Sequence, residues 1–256
     1  MKQIQIKYRP SIFSPFVSEF SGYTPENWDE VTPSQFIAIT SMIKDSDDIS
    51  FMAALTGIKK RALQRLSSFH IYNILQGFNW IRDLKPRNHF IISEIHLRDN
   101  VIYSPHAKLK GMIFLQFIFA DSFFSDYAQA ESEADLNRLV ACLYLPAGVS
   151  FSEEQIDKTA SQLHLSDLCV RRAVFYNYLM IRNWLSDVYP LVFSHPANDA
   201  KLQGKSSLRS SHSNSWIKIF EQVVGDDIAN SDKYANLPVH NVLRFISNRI
   251  KQNMRK

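Results

Sequence analysis

The sequence predicts a mainly α-helical protein: a multi-helix bundle with one small β-hairpin insertion and an N-terminal segment compatible with a short strand. Three observations support this fold class. Two segments carry complete helix start signals, several apolar segments repeat with the period of an α-helix, and glycine is scarce, with 7 in 256 residues. Scarce glycine disfavours Gly-rich nucleotide-binding folds and β architectures with many turns.

The first start signal is Val-Thr-Pro-Ser-Gln-Phe at residues 31–36. The Thr32 hydroxyl is placed to accept the backbone N–H of Gln35, and Pro33 takes the first helical position, where no N–H is needed. Gln35 is placed to return a bond to Thr32, while Val31 packs on Phe36 as a hydrophobic staple. "FSEEQI" at 151–156 repeats the arrangement, with a serine cap and a returning glutamine. Both segments therefore predict helices and need no chemical explanation.

The N-terminal segment before the first helix has two parts. "QIQIKYR" alternates apolar and polar residues and is typical of a short strand. Residues 10–30 contain three prolines and a glycine, which predicts a loop. We expect the phenylalanines of this loop, Phe13, Phe16 and Phe20, to pack under the core; docking to a partner is the alternative.

Three more helices are predicted before residue 85. The first begins at Asp47 or Asp48 and ends at Gly57, a residue suited to a left-handed cap. "IKKRALQRL" and "FHIYNILQGFNWIRDL" predict the other two, separated by two serines, of which Ser68 is the expected cap.

The pattern changes at residues 89–104, where "HFIISEIHLRDNVIYS" alternates on both sides of Arg98, Asp99 and Asn100. This predicts the β-hairpin, with its turn at Asp99 and Asn100. Helices are then predicted at about 110–127, 133–144, 153–163 and 167–188.

The chain is predicted to have three parts. Residues 1–190 form a helical core domain that includes the hairpin, and the polar residues 191–214 form a flexible linker or loop. Residues 215–256 form a C-terminal helical segment, in which Ser215 caps one helix and Pro238 begins a basic terminal helix.

Composition excludes several classes of protein. Hydrophobic residues make up 45% of the chain, which is enough to fold and argues against global disorder. The most apolar segment, 111–124, is too short and too polar to cross a bilayer, and no secretory signal opens the sequence. The two cysteines, Cys142 and Cys169, lie in apolar helical patterns and are expected to be reduced thiols in a cytosolic protein.

Candidate catalytic and metal-binding motifs are weak. "GKSS" at 204–207 resembles the end of a P-loop but lacks the earlier glycine, and its flanks are polar linker. His89, His96 and His106 flank the hairpin; ordinary surface or packed histidines are the favoured interpretation, and a metal site is the alternative. Asp121 and Asp126 diverge by about 140° on one helix, so we expect both to solvate it. We predict no catalytic residue, cofactor or metal site.

The strongest candidate for binding is the basic C-terminus. Residues 200–256 contain ten Lys and Arg residues against four Asp and Glu residues. Such a helix can meet nucleic-acid phosphates, an anionic membrane or an acidic protein surface, but plain solvation is favoured. The candidate anion-binding residues are Arg244, Arg249, Lys251, Arg255 and Lys256.

Several segments, in order, resemble a known group of proteins. They are "WDEVTPSQFIAI", "LTGI", the hairpin followed by "LKGMIFLQFIFADSFF", "LVACLYLPAG" and "NLPVHNVLRFI". This order resembles helical proteins encoded among the tail genes of phages and prophages of Bacteroidetes-type bacteria. The resemblance implies a tail-assembly or chaperone-like factor in the host cytoplasm, and it implies no catalytic residues.

The sequence therefore favours a non-enzymatic interaction protein that binds another protein, such as a phage tail component. The alternative is a nucleic-acid-binding module that uses the basic terminal helix. An enzyme whose site is assembled from distant residues is a third hypothesis, which a deep pocket with converging histidines and carboxylates would support.

Overall fold

A computed structural model describes residues 2–8, 15–42, 47–193 and 213–254. Over these ranges the protein is mainly α-helical, with eleven α-helices and two small antiparallel sheets, which confirms the predicted fold class. The chain divides into two compact units, Met1–Lys85 (unit 1) and Pro86–Lys256 (unit 2). This division lies inside the range 1–190 that the sequence analysis treats as one core domain.

Unit 1 begins with a two-stranded antiparallel sheet. The predicted N-terminal strand is present as β1 (Lys2–Tyr8), and it pairs with β2 (Ser18–Thr24) from Lys2 opposite Thr24 to Tyr8 opposite Ser18. The prediction that residues 10–30 form a loop is therefore wrong for β2. Because serine, glycine and threonine occupy most of β2, its sequence shows no clear alternation of apolar and polar residues. Phe20 is its residue that packs against the buried cluster around Met52 and Leu63.

Four helices complete unit 1: α1 (Pro33–Ser41), α2 (Asp48–Thr56), α3 (Lys60–Leu63) and α4 (Ser68–Gln76). The predicted capping box begins α1, since the Thr32 hydroxyl accepts the Gln35 N–H at 3.3 Å and the Gln35 side chain accepts the Thr32 N–H at 3.0 Å. Gly57 ends α2 with a φ of 71°, as expected for a left-handed cap.

The third and fourth helices differ from prediction. The segment "IKKRALQRL" forms only the four-residue α3, and α4 stops at Gln76, short of the predicted residue 84. The cap of α4 is Ser67 and not Ser68, because the Ser67 hydroxyl accepts the N–H of His70.

The core of unit 1 includes a buried cluster of Met52, Ile58, Ala62 and Leu63, and half-buried residues from β1, β2, α2 and α4 pack around it. Other large apolar side chains of the unit are also buried, among them Phe36, Ile39, Leu55 and Phe78. Near the end of the unit, the Trp28 indole N–H donates to the Asp83 carbonyl at 2.8 Å. This bond ties the final residues of the unit to its interior.

Unit 2 contains the predicted hairpin, formed by β3 (Glu94–His96) and β4 (Val101–Tyr103). The Leu97 N–H donates to the Asn100 carbonyl at 2.8 Å, so Arg98 and Asp99 form the turn, one residue earlier than predicted. A short strand that was not predicted, β5 (Leu145–Pro146), pairs with β4.

The predicted helices of unit 2 are α5 (Phe114–Ala130), α6 (Glu133–Leu143), α7 (Glu153–Leu163) and α8 (Leu168–Val188). Helix α6 packs against α5, α7 and α8 and is the centre of the bundle. Only one bond of the second predicted capping box forms: the Ser152 hydroxyl accepts the Gln155 N–H. The Gln155 side chain donates to the Thr159 hydroxyl and does not accept the backbone N–H of Ser152.

Three C-terminal helices belong to unit 2: α9 (Ser213–Val224), α10 (Ser231–Ala235) and α11 (Val239–Asn253). All three pack against α5. Ser215 lies inside α9 and is not its cap, and α10 was not predicted. Most of the predicted linker, including "GKSS", lies outside the described residues. No helix in the described ranges is long and apolar enough to span a bilayer.

Candidate functional site

The basic face predicted on the terminal helix is only partly described. Arg244, Arg249 and Lys251 are exposed on α11, while Arg255 and Lys256 lie outside the described residues. At about 100° per residue, Arg244 and Lys251 share one side of the helix and Arg249 lies about 140° from Arg244. The helix therefore does not gather the three cations on one face.

Two of these arginines interact within unit 2. The Arg249 guanidinium donates to the Gln222 carbonyl at 3.0 Å, which satisfies a carbonyl in the last turn of α9. Arg244 lies near the Tyr189 hydroxyl: burial raises the pKa of Tyr189, and the positive charge of Arg244 acts in the opposite direction. Both arginines therefore have a packing role that needs no external anion.

Asp121 is not a solvating residue, which corrects the expectation from the sequence. Its side chain is fully buried. Arg182 on α8 lies against it, with Nε 2.7 Å from Oδ1 and Nη2 donating to Oδ2 at 3.3 Å. The Trp216 indole on α9 also donates to Oδ2, at 2.7 Å. One carboxylate thus joins α5, α8 and α9.

The surroundings of this carboxylate indicate a structural role. The Arg182 guanidinium lies 4.7 Å from the centre of the Phe124 ring, so aromatic surface covers the cation. Burial, and then the negative charge of Asp121, raise the pKa of Tyr178 well above that of a solvated tyrosine. The carboxylate is occupied by its own partners and is closed to a substrate.

The histidines near the hairpin do not gather around an ion. His89 and His106 line an open hollow of about 610 Å³, but His96 does not line it and pairs with Glu94 at 3.2 Å. Across the described part of the chain, no group of three or more His, Cys, Asp or Glu side chains is placed to hold a metal. The hollow therefore offers no metal centre built from described residues.

The cysteines are free thiols. Cys142 is buried, which raises its pKa well above the ordinary value, and Cys169 is half-buried. Burial, followed by the charge of Asp167, also raises the pKa of Cys169. Both thiols are therefore poor nucleophiles at neutral pH.

Unit 1 contains an open groove of about 790 Å³. It lies between β1, residues 24–26 at the end of β2, and residues 65–78, which include α4. Its apolar floor and its charged residues come from these same segments. The floor is formed by Ile4, Leu66, Ile74 and Phe78, and the charged residues are Lys2, Lys7, Arg65 and Glu26.

The edge of β1 forms one wall of this groove. Four residues of β1 line the groove, and they come from both faces of the strand: Lys2 and Ile4 from one, Gln5 and Lys7 from the other. A surface that met only one face of a strand would be lined by alternate residues. The groove therefore meets the strand from the side, along the edge that β2 does not occupy.

Little in the sequence indicates this groove. Lys7 belongs to a segment interpreted only as a strand, Lys2 precedes that segment, and Ile74 and Phe78 belong to a segment interpreted as helix. The aromatic residues of the N-terminal region have different environments: Phe20 packs on the core, as expected, Phe16 is 77% exposed, contrary to expectation, and Phe13 lies outside the described residues.

Comparisons of this chain with known protein families, with curated proteins and with solved structures find no match. The site must therefore be interpreted from its own geometry.

Proposed function

We propose that this protein is a non-enzymatic interaction protein, and that the groove of unit 1 receives a segment of another protein. The observation that carries this proposal is the groove itself, where a strand edge lies beside an apolar floor. Partner segments are commonly recognised by such a combination, because the strand offers backbone hydrogen bonds and the floor accepts side chains.

The surface of unit 1 supports the same function. Four of its aromatic side chains, Phe16, Tyr23, Phe69 and Tyr72, are at least 60% exposed. Large exposed aromatic side chains are typical of surfaces that bind other proteins. Phe69 and Tyr72 are three residues apart on α4 and so share one side of this helix. Other residues of α4 line the groove.

The resemblance of several segments to phage tail-region proteins supports a narrower version of this proposal. In that version the protein is a tail-assembly or chaperone-like factor in the cytoplasm of the host bacterium, and its partner is another tail protein. A chaperone-like factor needs a surface that holds a segment reversibly, and an open groove provides one.

Site-specific photocrosslinking tests the proposed function. A photoreactive amino acid at Asn73, which is exposed in the groove, should crosslink one defined partner in cells that express the neighbouring genes. The matched control position is Gln64, which is exposed in unit 1 but does not line the groove. The same crosslinks from both positions, or none from Asn73, would contradict the proposal.

The nucleic-acid alternative has less support. Arg249 is engaged with α9, and Arg244 lies beside Tyr189, so α11 presents no continuous basic face over its described residues. If nucleic acid were the partner, binding would weaken steeply with salt and would fall when Arg244 and Lys251 are changed to glutamine.

A further inference from the structure

We propose that the segment bound by the groove is extended, alternates acidic and apolar residues, and adds to β1 as a third strand. This inference rests on the proposed function, since it specifies the chemistry of the partner in the same groove.

The open edge of β1 is the first reason. Among the residues that the structure describes, β1 pairs only with β2, and its other side borders the groove. An edge strand presents unpaired N–H and C=O groups, which an extended chain can satisfy. The seven residues of β1 span about 23 Å, enough to pair with a segment of similar length.

The pleat of β1 predicts the alternating pattern of the partner. Ile4 packs with the core cluster beside the groove floor, whereas Gln5 and Lys7 belong to the opposite face of the strand. In an added strand, side chains on each face lie next to those of β1 on that face. The partner should therefore direct apolar side chains towards Ile4 and polar side chains towards Gln5 and Lys7.

The positive charge of the groove favours acidic residues at the polar positions of the partner segment. The groove is lined by three cationic residues, Lys2, Lys7 and Arg65, against one carboxylate, Glu26. Lys7 lies on the face of β1 that the polar side chains of the partner would join, so carboxylates are favoured at those positions, and Lys2 and Arg65 add positive charge elsewhere in the groove. A nucleic acid would meet the same cations, but it cannot use the N–H and C=O groups of a strand edge in the way that a peptide backbone can.

Fluorescence anisotropy with the full-length protein and synthetic peptides tests this inference. The probe is a capped, fluorescein-labelled seven-residue peptide that alternates valine with glutamate. Matched peptides replace every glutamate with glutamine or with lysine. The glutamate peptide should bind at least about tenfold more tightly than the lysine peptide, with the glutamine peptide between them. Equal binding of the three peptides, or tighter binding of the lysine peptide, would overturn the inference.

Backbone methylation tests strand addition itself. Alternate residues of an added strand direct their N–H groups at β1. N-methylation of all valines or of all glutamates should therefore weaken binding about tenfold or more in one peptide and little in the other. Equal effects of the two methylation patterns would contradict pairing with β1.

Protein variants locate the site. Lys7→Glu should weaken binding of the glutamate peptide about tenfold and improve binding of the lysine peptide. The control is Lys59→Glu, which makes the same charge change at an exposed position of unit 1 outside the groove and should alter the dissociation constant less than about twofold. Equal effects of the two variants would place the binding site elsewhere. A poly-uridine oligonucleotide that binds more tightly than the glutamate peptide and is lost in Lys7→Glu would also overturn the inference.

The crosslinking and peptide experiments distinguish failure of the proposed function from failure of the proposed partner chemistry. If Asn73 crosslinks a partner but the glutamate peptide does not bind, the groove is a protein-binding site and the partner chemistry proposed here is wrong. If Asn73 crosslinks no partner, the proposed function is contradicted whatever the peptides do.

Discussion

The two units of the molecule bury different kinds of polar group. In unit 1 the buried polar side chains among the described residues are Thr24, Thr40 and Thr56, and each hydroxyl donates to a backbone carbonyl. In unit 2 the buried set includes an aspartate, an arginine and three amides. These residues are Asp121, Arg171, Gln116, Asn137 and Asn177.

The buried groups of unit 2 connect elements that are distant in sequence. The Arg171 guanidinium donates to Glu133 at 2.7 Å and to Asn137 at 2.6 Å, which joins α8 to α6. The Asn177 side chain accepts the N–H of Ile91 at 2.6 Å and holds the segment before the hairpin against α8. Directional bonds in a dry interior favour one packing arrangement over its alternatives.

The two units therefore differ in what specifies their folds. Unit 2 is specified by buried charged and amide groups whose loss leaves a partner unsatisfied. Over its described residues, unit 1 buries only threonines among its polar side chains, and it exposes several aromatic side chains and the strand edge where we propose that a partner binds. The following substitutions test this contrast, beginning with the largest expected effect.

The substitution Asp121→Ala should break the network of unit 2. It leaves the Arg182 guanidinium buried without its carboxylate and should lower the free energy of unfolding by about 3–5 kcal/mol. Urea denaturation measures the loss, and hydrogen exchange should locate it in α5, α8 and α9. The double variant Asp121→Leu, Arg182→Met should recover much of the stability. A loss below about 1 kcal/mol for Asp121→Ala would show that the network is not needed.

The substitution Gly22→Ala should damage unit 1 and leave unit 2 intact. Its Cβ would lie 2.8 Å from the Phe20 ring and 2.9 Å from the Thr56 carbonyl oxygen, so the sheet must shift, at a cost of about 1–3 kcal/mol. Hydrogen exchange of β1 and β2 should accelerate, while that of α5 and α6 stays unchanged. Ser21→Ala, at an exposed position of the same strand, is the control. Equal acceleration in both units would show that they unfold together.

The substitution Thr32→Ala tests a local signal in unit 1. It removes the hydroxyl that accepts the Gln35 N–H and should cost about 1 kcal/mol, measured by urea denaturation. Thr32→Ser keeps the acceptor and should restore most of the stability. If alanine and serine behave alike, the cap contributes nothing.

The substitution Asp126→Asn gives the smallest effect and is a contrast with Asp121 on the same helix. Partial burial, and then the charge of Asp135, raise the pKa of Asp126. Since its folded pKa exceeds its unfolded pKa, the ionised carboxylate costs stability above the folded value. This cost fades as the pH falls through that value.

At neutral pH, Asp126→Asn should therefore leave stability unchanged or raise it by a few tenths of a kcal/mol, because solvent screens the group. Denaturation curves at neutral and acidic pH measure the difference between variant and parent, which should shrink in acid. A clear loss of stability at neutral pH would show that Asp126 has a favourable partner.

Elements with local signals could be predicted from the sequence. The capping residues of α1, α2, α6, α7 and α8 lie next to the segments that they begin, and α9 ends at Gly225. β2 was missed because its pairing with β1 and the packing of Phe20 lie outside its own sequence. α10 has only five residues and too little apolar periodicity to be recognised.

The sites depend on contacts that no local pattern shows. Asp121 lies in an apolar helix, which hinted at burial, but its partners Arg182 and Trp216 are 61 and 95 residues away in sequence. The groove requires β1 to approach α4 across about sixty residues of chain. The basic terminal helix was visible in the sequence, but the packing of Arg249 against α9 was not.

The bond from the Trp28 indole to the Asp83 carbonyl has a practical consequence. It holds Asp83, two residues before the boundary of unit 1 at Lys85, against the buried side chain of Trp28 in the same unit. A chain that ends at Lys85 would keep this hydrogen bond, so its C-terminus would follow directly after a residue that is held in place. Unit 1 is therefore suited to being transplanted as a module, for example as a C-terminally fused reagent for displaying its groove.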